Sequence, residues 1–169
     1  MNVYGVIGWK NAGKTTLVER LVAEISGRGF RVSPVKHTHH MVDIAQPGKD
    51  SHRHRQAGAH QVILSSSSRW ASMTELRGAP ETPLGDLLTH LAPVDLVIVE
   101  GYKRDEHPKI EAWRAETGQP LLATDDPTVR AVASNDAPDT DKPVIGLDDI
   151  PAIADFILDD LGMAARKSA

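Results

Sequence analysis

The stretch VYGVIGWKNAGKT, residues 3–15, decides the fold of this 169-residue chain. Its first five residues form an apolar run that predicts a short buried strand. The next eight, Gly8 to Thr15, fit the pattern of glycine, four residues and Gly-Lys-Thr. Apolar residues then recur at helical spacing as far as Ile25, which predicts a helix. A strand, a glycine-rich loop and a helix in this order indicate a phosphate-binding loop rather than an ordinary glycine-rich turn.

The residue types of this loop suit a nucleoside triphosphate. Gly8 and Gly13 let the backbone curl tightly, so that its N–H groups face phosphate oxygens. Lys14, the first catalytic candidate, can reach the β- and γ-phosphates, and the Thr15 hydroxyl can bind Mg²⁺. The predicted nucleotide contacts are Gly8, Lys10, Asn11, Ala12, Gly13, Lys14, Thr15 and Thr16.

The composition excludes several other classes of protein. The formal net charge is -4 and aromatic residues are only 4% of the chain, so we expect no nucleic-acid partner. The chain has no cysteine, which excludes disulfides and thiolate metal sites. No apolar run approaches membrane-spanning length, and the chain enters a strand at once. We therefore expect a cytoplasmic protein with no membrane partner.

Segments of strand and helix character alternate along the chain. This order predicts an α/β fold with a mostly parallel central sheet flanked by helices. We expect one nucleotide-binding domain over residues 1–163 and a disordered tail over 164–169. Two runs around the serines at 65–68 predict a small β-hairpin insertion. The remaining strand candidates are 30–36, 95–100, 109–113, 121–123 and 144–145. The later helices are expected at 50–59, after a Thr82 cap, and from Pro151 after a cap at Asp149 or its neighbour.

The clearest buried strand, Leu96 to Val99, ends in Glu100. An acid there lies at the carboxyl edge of the sheet, where ligands of open α/β sheets bind, and it can hold Mg²⁺. The alternative is a solvated strand end, which the phosphate-binding loop makes less favourable. Asp95 opens the same strand at the opposite edge, so we interpret it as structural.

A polar segment follows the second predicted strand. Lys36 ends that strand on the ligand side. It is the second catalytic candidate, because it can add positive charge to the phosphate site. Three histidines follow within four residues, but neither a cysteine nor a defined ligand spacing supports a zinc site. Asp50 begins a short basic helix and is either a metal ligand or an N-cap.

Taken together, these segments resemble one family, the molybdopterin-guanine dinucleotide biosynthesis adaptor (MobB) family. The resemblance covers residues 3 to about 160 and is carried by four stretches. They are GWKNAGKTTL at 8–17, VKHTHH at 35–40, the segment from Asp43 to Ala59, which contains PGKDS, RHR and AGA, and VEGYK at 99–103. The combination is specific, whereas the loop alone would not be.

The resemblance implies a P-loop NTPase fold and a GTP-binding, Mg²⁺-dependent homodimer with weak GTPase activity. Such proteins assist the guanylyltransferase that attaches GMP to molybdopterin, so this enzyme and molybdopterin are the expected partners. In related P-loop enzymes, among them dethiobiotin synthetase and nickel-insertion GTPases, acids at the positions of Asp50 and Glu100 help to hold Mg²⁺. With Thr15, these two residues are the expected metal ligands.

One departure concerns the base. The Asn-Lys-x-Asp motif that reads guanine in most GTPases is absent. A carboxylate can accept hydrogen bonds from the guanine N1 and N2 donors. Asp125, after the strand candidate 121–123, is the guanine-binding candidate, and a plain turn residue is the alternative.

Two other functions remain open from the sequence. One is an ATP-dependent kinase or ligase for a small metabolite, and the other is a metal-insertion GTPase that uses the histidine segment. In the favoured interpretation, the face that carries His39, His40 and Arg53 contacts the pterin phosphate or the partner transferase, because its positive charge attracts an anion.

Overall fold

A computed structural model describes residues 1–38 and 48–163. The helices are α1, Lys14–Gly27; α2, Asp50–Gln56; α3, Leu84–Leu88; and α4, Ile150–Asp160, with a 3-10 helix at Ala115–Thr117. The strands are β1, Asn2–Ile7; β2, Val32–Lys36; β3, Gln61–Ser65; β4, Trp70–Thr74; β5, Leu96–Glu100; β6, Lys109–Ala112; β7, Val129–Ala133; and β8, Val144–Ile145. None of the described helices is long and apolar enough to cross a membrane.

The chain divides into two compact units. The first comprises residues 1–37 and 90 onward, and its six strands form a parallel sheet in the order β2-β5-β1-β6-β7-β8. The second comprises residues 38–89 and contains α2, α3 and the antiparallel hairpin β3-β4. The expected α/β fold, with its mostly parallel sheet and small hairpin, is confirmed.

The core of the first unit lies on both faces of its sheet. Helices α1 and α4 bury Leu21 and Ile157 completely against strand residues such as Val6. Because neighbouring strand residues point to opposite faces, Ile7 belongs to a second, smaller cluster with Val132. This packing fixes the ends of β1 and α1, and therefore the loop between them.

Several local expectations need correction. Residues 121–123 form a turn instead of a strand, because their backbone N–H groups bond to the buried carboxylate of Glu111. The strand at 129–133 was missed, since VRAVA has small and charged residues in place of large apolar ones. Thr82 does not cap α3; Pro83 holds that position. The Asp149 cap of α4 is confirmed by a 3.2 Å bond from the Ala152 N–H.

Candidate nucleotide and magnesium site

The loop between β1 and α1 has the curled backbone that its glycines predict. Gly8 and Gly13 have φ values of 143° and 94°, and Asn11 also has a positive φ, 67°. A Cβ on Gly8 would lie 2.3 Å from the carbonyl oxygen of Ala112, so no other residue fits there without moving the backbone. Helix α1 begins directly after Gly13, which places its positive end at the loop.

Lys14 folds back over this loop. Its Nζ donates a 2.6 Å hydrogen bond to the carbonyl oxygen of Trp9. Partial burial lowers the pKa of the Lys14 ammonium; nearby Glu100 opposes this shift, and the cations Lys103 and Lys36 add to it. Three lysines therefore approach one another at the loop, an arrangement that favours the binding of an anion.

Thr15, Glu100 and Lys36 meet beside the loop. The Thr15 hydroxyl donates to Glu100 Oε1 at 2.8 Å, while Lys36 Nζ lies 3.1 Å from Thr15 Oγ1 and 3.2 Å from Glu100 Oε1. Strand register produces the meeting, because Val6 and Lys36 both pair with Glu100 across adjacent strands. Glu100 is only 7% exposed. A hydroxyl and a carboxylate are hard oxygen ligands, so this pair fits Mg²⁺.

The other metal candidate lies in the second unit. Asp50 is the first residue of α2, its side chain is 89% exposed, and Arg53 Nη1 lies 4.0 Å from it. His39 and His40 lie outside the described residues. Within residues 1–38 and 48–163, no three His, Cys, Asp or Glu side chains come together in a way that could hold a metal ion.

Asp125 lies in the turn that follows Leu122, since its N–H bonds to the Leu122 carbonyl at 3.2 Å. Its predicted strand context was wrong, but its position is informative. It lines a cleft of about 330 Å³ with Ile7 and Trp9. A larger cleft of about 550 Å³ borders Trp9, Lys10 and other loop residues. The role of Asp125 in guanine binding stays a prediction.

Sequence reasoning missed residues around Trp9. The Lys103 ammonium lies 4.2 Å from the centre of the Trp9 ring, and the Trp9 indole N–H donates to the Pro120 carbonyl at 2.8 Å. At the other end of the loop, Arg114 lies 3.5 Å from the Cβ position of Gly13. The tryptophan at a variable position of the loop pattern was the one sequence signal for the Trp9, Lys103 and Pro120 contacts. No sequence signal marked Arg114.

Comparison with known proteins decides the family. The family model described as molybdopterin guanine dinucleotide synthesis protein B, MobB, matches residues 3–135. The chain belongs to the MobB family. It is 43% identical over 159 residues to the molybdopterin-guanine dinucleotide biosynthesis adapter protein of Haemophilus influenzae, covering 90% of this chain and 85% of the relative. The Escherichia coli adapter protein is 39% identical over 154 residues, covering 89% and 88% respectively.

Solved MobB structures share the fold. A MobB homologue from Bacillus stearothermophilus superposes with a TM-score of 0.73 at 29% identity, covering 97% of this chain and all of that one. The Bacillus subtilis MobB structure has a TM-score of 0.73 at 23% identity, covering 94% and 97%. The match to MobB confirms the resemblance drawn from the loop, the VKHTHH segment and the VEGYK strand end.

Proposed function

We propose that this chain is a GTP-binding, Mg²⁺-dependent adaptor with weak GTPase activity in molybdopterin guanine dinucleotide biosynthesis. It assists the guanylyltransferase that attaches GMP to molybdopterin, and it acts in the cytoplasm as a single nucleotide-binding domain. The observation that carries the proposal is the meeting of Thr15, Glu100 and Lys36 beside a curled phosphate-binding loop. Membership of the MobB family supports the biosynthetic role.

The side chains at the loop have separable roles in this proposal. Lys14 exchanges its bond to the Trp9 carbonyl for phosphate oxygens, while the N–H groups at the start of α1 hold the same anion. Thr15 and Glu100 would hold Mg²⁺, and the ion would offset phosphate charge. Lys36, whose Nζ lies 3.2 Å from Glu100 Oε1, would add a second positive charge beside the phosphates. The proposed role of Asp50 as a further Mg²⁺ ligand rests on the family resemblance.

The competing functions have less support. A metal-insertion GTPase would use the histidine segment and should bind Ni²⁺ or Zn²⁺ tightly, with binding lost on replacing His37, His39 and His40. A small-molecule kinase or ligase would prefer ATP and turn over quickly once its acceptor is present. Nucleotide preference therefore separates this alternative from the proposed GTP-binding adaptor.

With Mg²⁺ present, we expect GTP to bind at least about tenfold more tightly than ATP, which corresponds to ~1.4 kcal/mol.

Glu100→Gln keeps the shape of the side chain but removes the negative charge that would face the ion. We expect it to lower the Mg²⁺-dependent part of GTP affinity by about tenfold, because charged partners contribute ~1.5–3 kcal/mol. Equilibrium titration with and without Mg²⁺ measures both effects. Equal affinity for ATP, or an unchanged Mg²⁺ response in Glu100→Gln, would contradict the proposal.

We further propose that the chain forms the homodimer that the family resemblance implies, through the hairpin of the second unit. Ile63 and Trp70 lie on one face of β3-β4 and are 65% and 67% exposed. In the described chain, the two strands pair only with each other. A two-stranded hairpin is marginally stable alone, and pairing with a second copy would cover both its edge and the exposed Ile63 and Trp70 side chains.

Trp70→Lys is expected to raise the dimer dissociation constant by at least about tenfold, because the substitution replaces the large exposed indole with a charge. Sedimentation velocity over a concentration series measures the change. Ser67→Lys adds the same charge in the turn between the strands, where the residue is exposed, and serves as the matched control. If both variants stay as dimeric as the parent protein, the hairpin is not the interface.

A further inference from the structure

A cleft of about 330 Å³ lies beside the phosphate-binding loop. Its apolar wall comes from Ile7, Leu121 and Leu122, and Trp9 joins it to the loop. It opens at the carboxyl edge of the sheet, where ligands of α/β folds bind. The predicted guanine contact of Asp125 is the one role given above to a residue of this cleft.

Hydrogen bonds hold the wall of the cleft in place. The buried carboxylate of Glu111 accepts from the N–H groups of Leu122 at 3.0 Å and Ala123 at 2.8 Å. The indole N–H of Trp9 donates to Pro120, and that of Trp113 donates to the Gln119 carbonyl at 3.0 Å. Small-molecule sites are concave, mostly apolar and largely formed before binding, and this cleft has those properties.

Charges of opposite sign line the cleft. Lys103 lies over the face of Trp9 and is close enough to Lys14 to lower its pKa, so it adjoins the phosphate-binding loop. Asp125 is exposed, and its carboxylate makes no hydrogen bond or ion pair to any described residue. The neighbouring Asp126 is different, because the Thr128 hydroxyl bonds to it at 2.5 Å. The cleft thus offers one cation beside the loop and one available carboxylate.

We propose that this cleft binds a pterin with an anionic substituent, the ring against the leucine wall, the anion toward Lys103 and the 2-amino-4-oxo edge on Asp125. That edge presents a ring N–H and an amino group, two donors that match a carboxylate. The proposal rests on the proposed function, in which molybdopterin is the partner compound. Guanine has the same edge, so the experiment must separate the two sources.

The position of the cleft along the phosphate-binding loop favours a pterin over the guanine base as its ligand. The cleft begins at Trp9, in the first half of the loop, whereas Leu147 and Arg114 flank Gly13, where α1 begins. A nucleotide on the loop and a pterin in the cleft therefore occupy different ends of one surface. This arrangement places a pterin beside the phosphates, with Lys103 between the two anions.

Calorimetric titration with 6-carboxypterin and 6-carboxylumazine tests the site, because the two probes differ only in the amino group at position 2. We expect the pterin to bind at least about tenfold more tightly, since an oxo group would face the Asp125 carboxylate. Asp125→Asn should remove the difference, and Lys103→Met should weaken both probes several-fold. Asp139→Asn, an exposed acid outside the cleft, is the matched control and should change neither affinity.

GTP titrations of the same variants separate this proposal from the proposed function. Lys14→Ala should lose GTP but keep 6-carboxypterin, and GMP should not displace the pterin from the parent protein. Failure of the parent protein to bind GTP would refute the nucleotide proposal and leave a pterin result intact. Equal affinity for the two probes, no measurable pterin binding, or displacement of the pterin by GMP together with loss of GTP in Asp125→Asn would overturn the pterin site. The last outcome would make the cleft the guanine pocket.

Discussion

Lys14→Ala is expected to lower the affinity for GTP with Mg²⁺ by about 100-fold or more. In the proposed site the Lys14 ammonium reaches the β- and γ-phosphates, and hydrogen bonds between charged groups contribute ~1.5–3 kcal/mol each. Its present partner is a single carbonyl, that of Trp9 at 2.6 Å, so removing the side chain leaves the fold almost unchanged. Equilibrium titration with a fluorescent GTP analogue measures the loss.

The control for this experiment is Arg31→Ala, which removes a cation from the opposite edge of the sheet. Arg31 is 69% exposed at its side chain and lies next to Asp95, whose carboxylate accepts from the Arg31 N–H at 2.7 Å. This contact also supports the structural interpretation of Asp95. The control should bind GTP as the parent protein does. Parent-like GTP binding by Lys14→Ala would show that the loop is not a nucleotide site.

Lys109→Ala is expected to destabilise the protein by about 3–5 kcal/mol, the range for breaking a buried charged pair. Lys109 is 0% exposed, and its ammonium donates to the carbonyls of Asp105 and His107 and to the Thr128 hydroxyl. The carboxylate of Asp126 lies 3.8 Å away. Truncation removes the donor from the carbonyls of Asp105 and His107 and also opens a cavity beside Gly5, which Lys109 contacts.

Urea denaturation measures this loss as a lower midpoint. Lys109→Met fills most of the same volume but donates no hydrogen bond, so its destabilisation should lie between that of the parent and that of Lys109→Ala. Lys10→Ala, an exposed lysine, should change the free energy of unfolding by less than ~0.5 kcal/mol. A midpoint for Lys109→Ala equal to that of the parent would show that the buried ammonium does not stabilise the fold.

These two lysines differ in how far the sequence could reveal them. Lys14 is fixed by a local pattern, because eight consecutive residues specify the loop and their neighbours specify its strand and helix. Lys109 opens a short strand and has no local sign of burial. Its partners Asp105 and His107 precede it in the same segment, but Thr128 reaches it because β6 and β7 pair.

The sequence by itself determined the strand, loop and helix at the N-terminus, the buried strand that ends in Glu100, and the hairpin. In each case the signal is local, since apolar periodicity and turn residues act within a few positions. It also carried the family, because several motifs occur in one order. The polar segment at 39–47 and the roles drawn from it remain predictions.

Only the tertiary structure decided which distant residues meet. Thr15 and Glu100 are 85 positions apart, and the pairing of β2 and β1 with β5 brings them into contact with Lys36. Tertiary contacts also overrode local preference at 121–123, where the Glu111 carboxylate holds a turn. A linear pattern records the intrinsic preferences of neighbouring residues, whereas strand order and burial depend on packing between segments far apart in the chain.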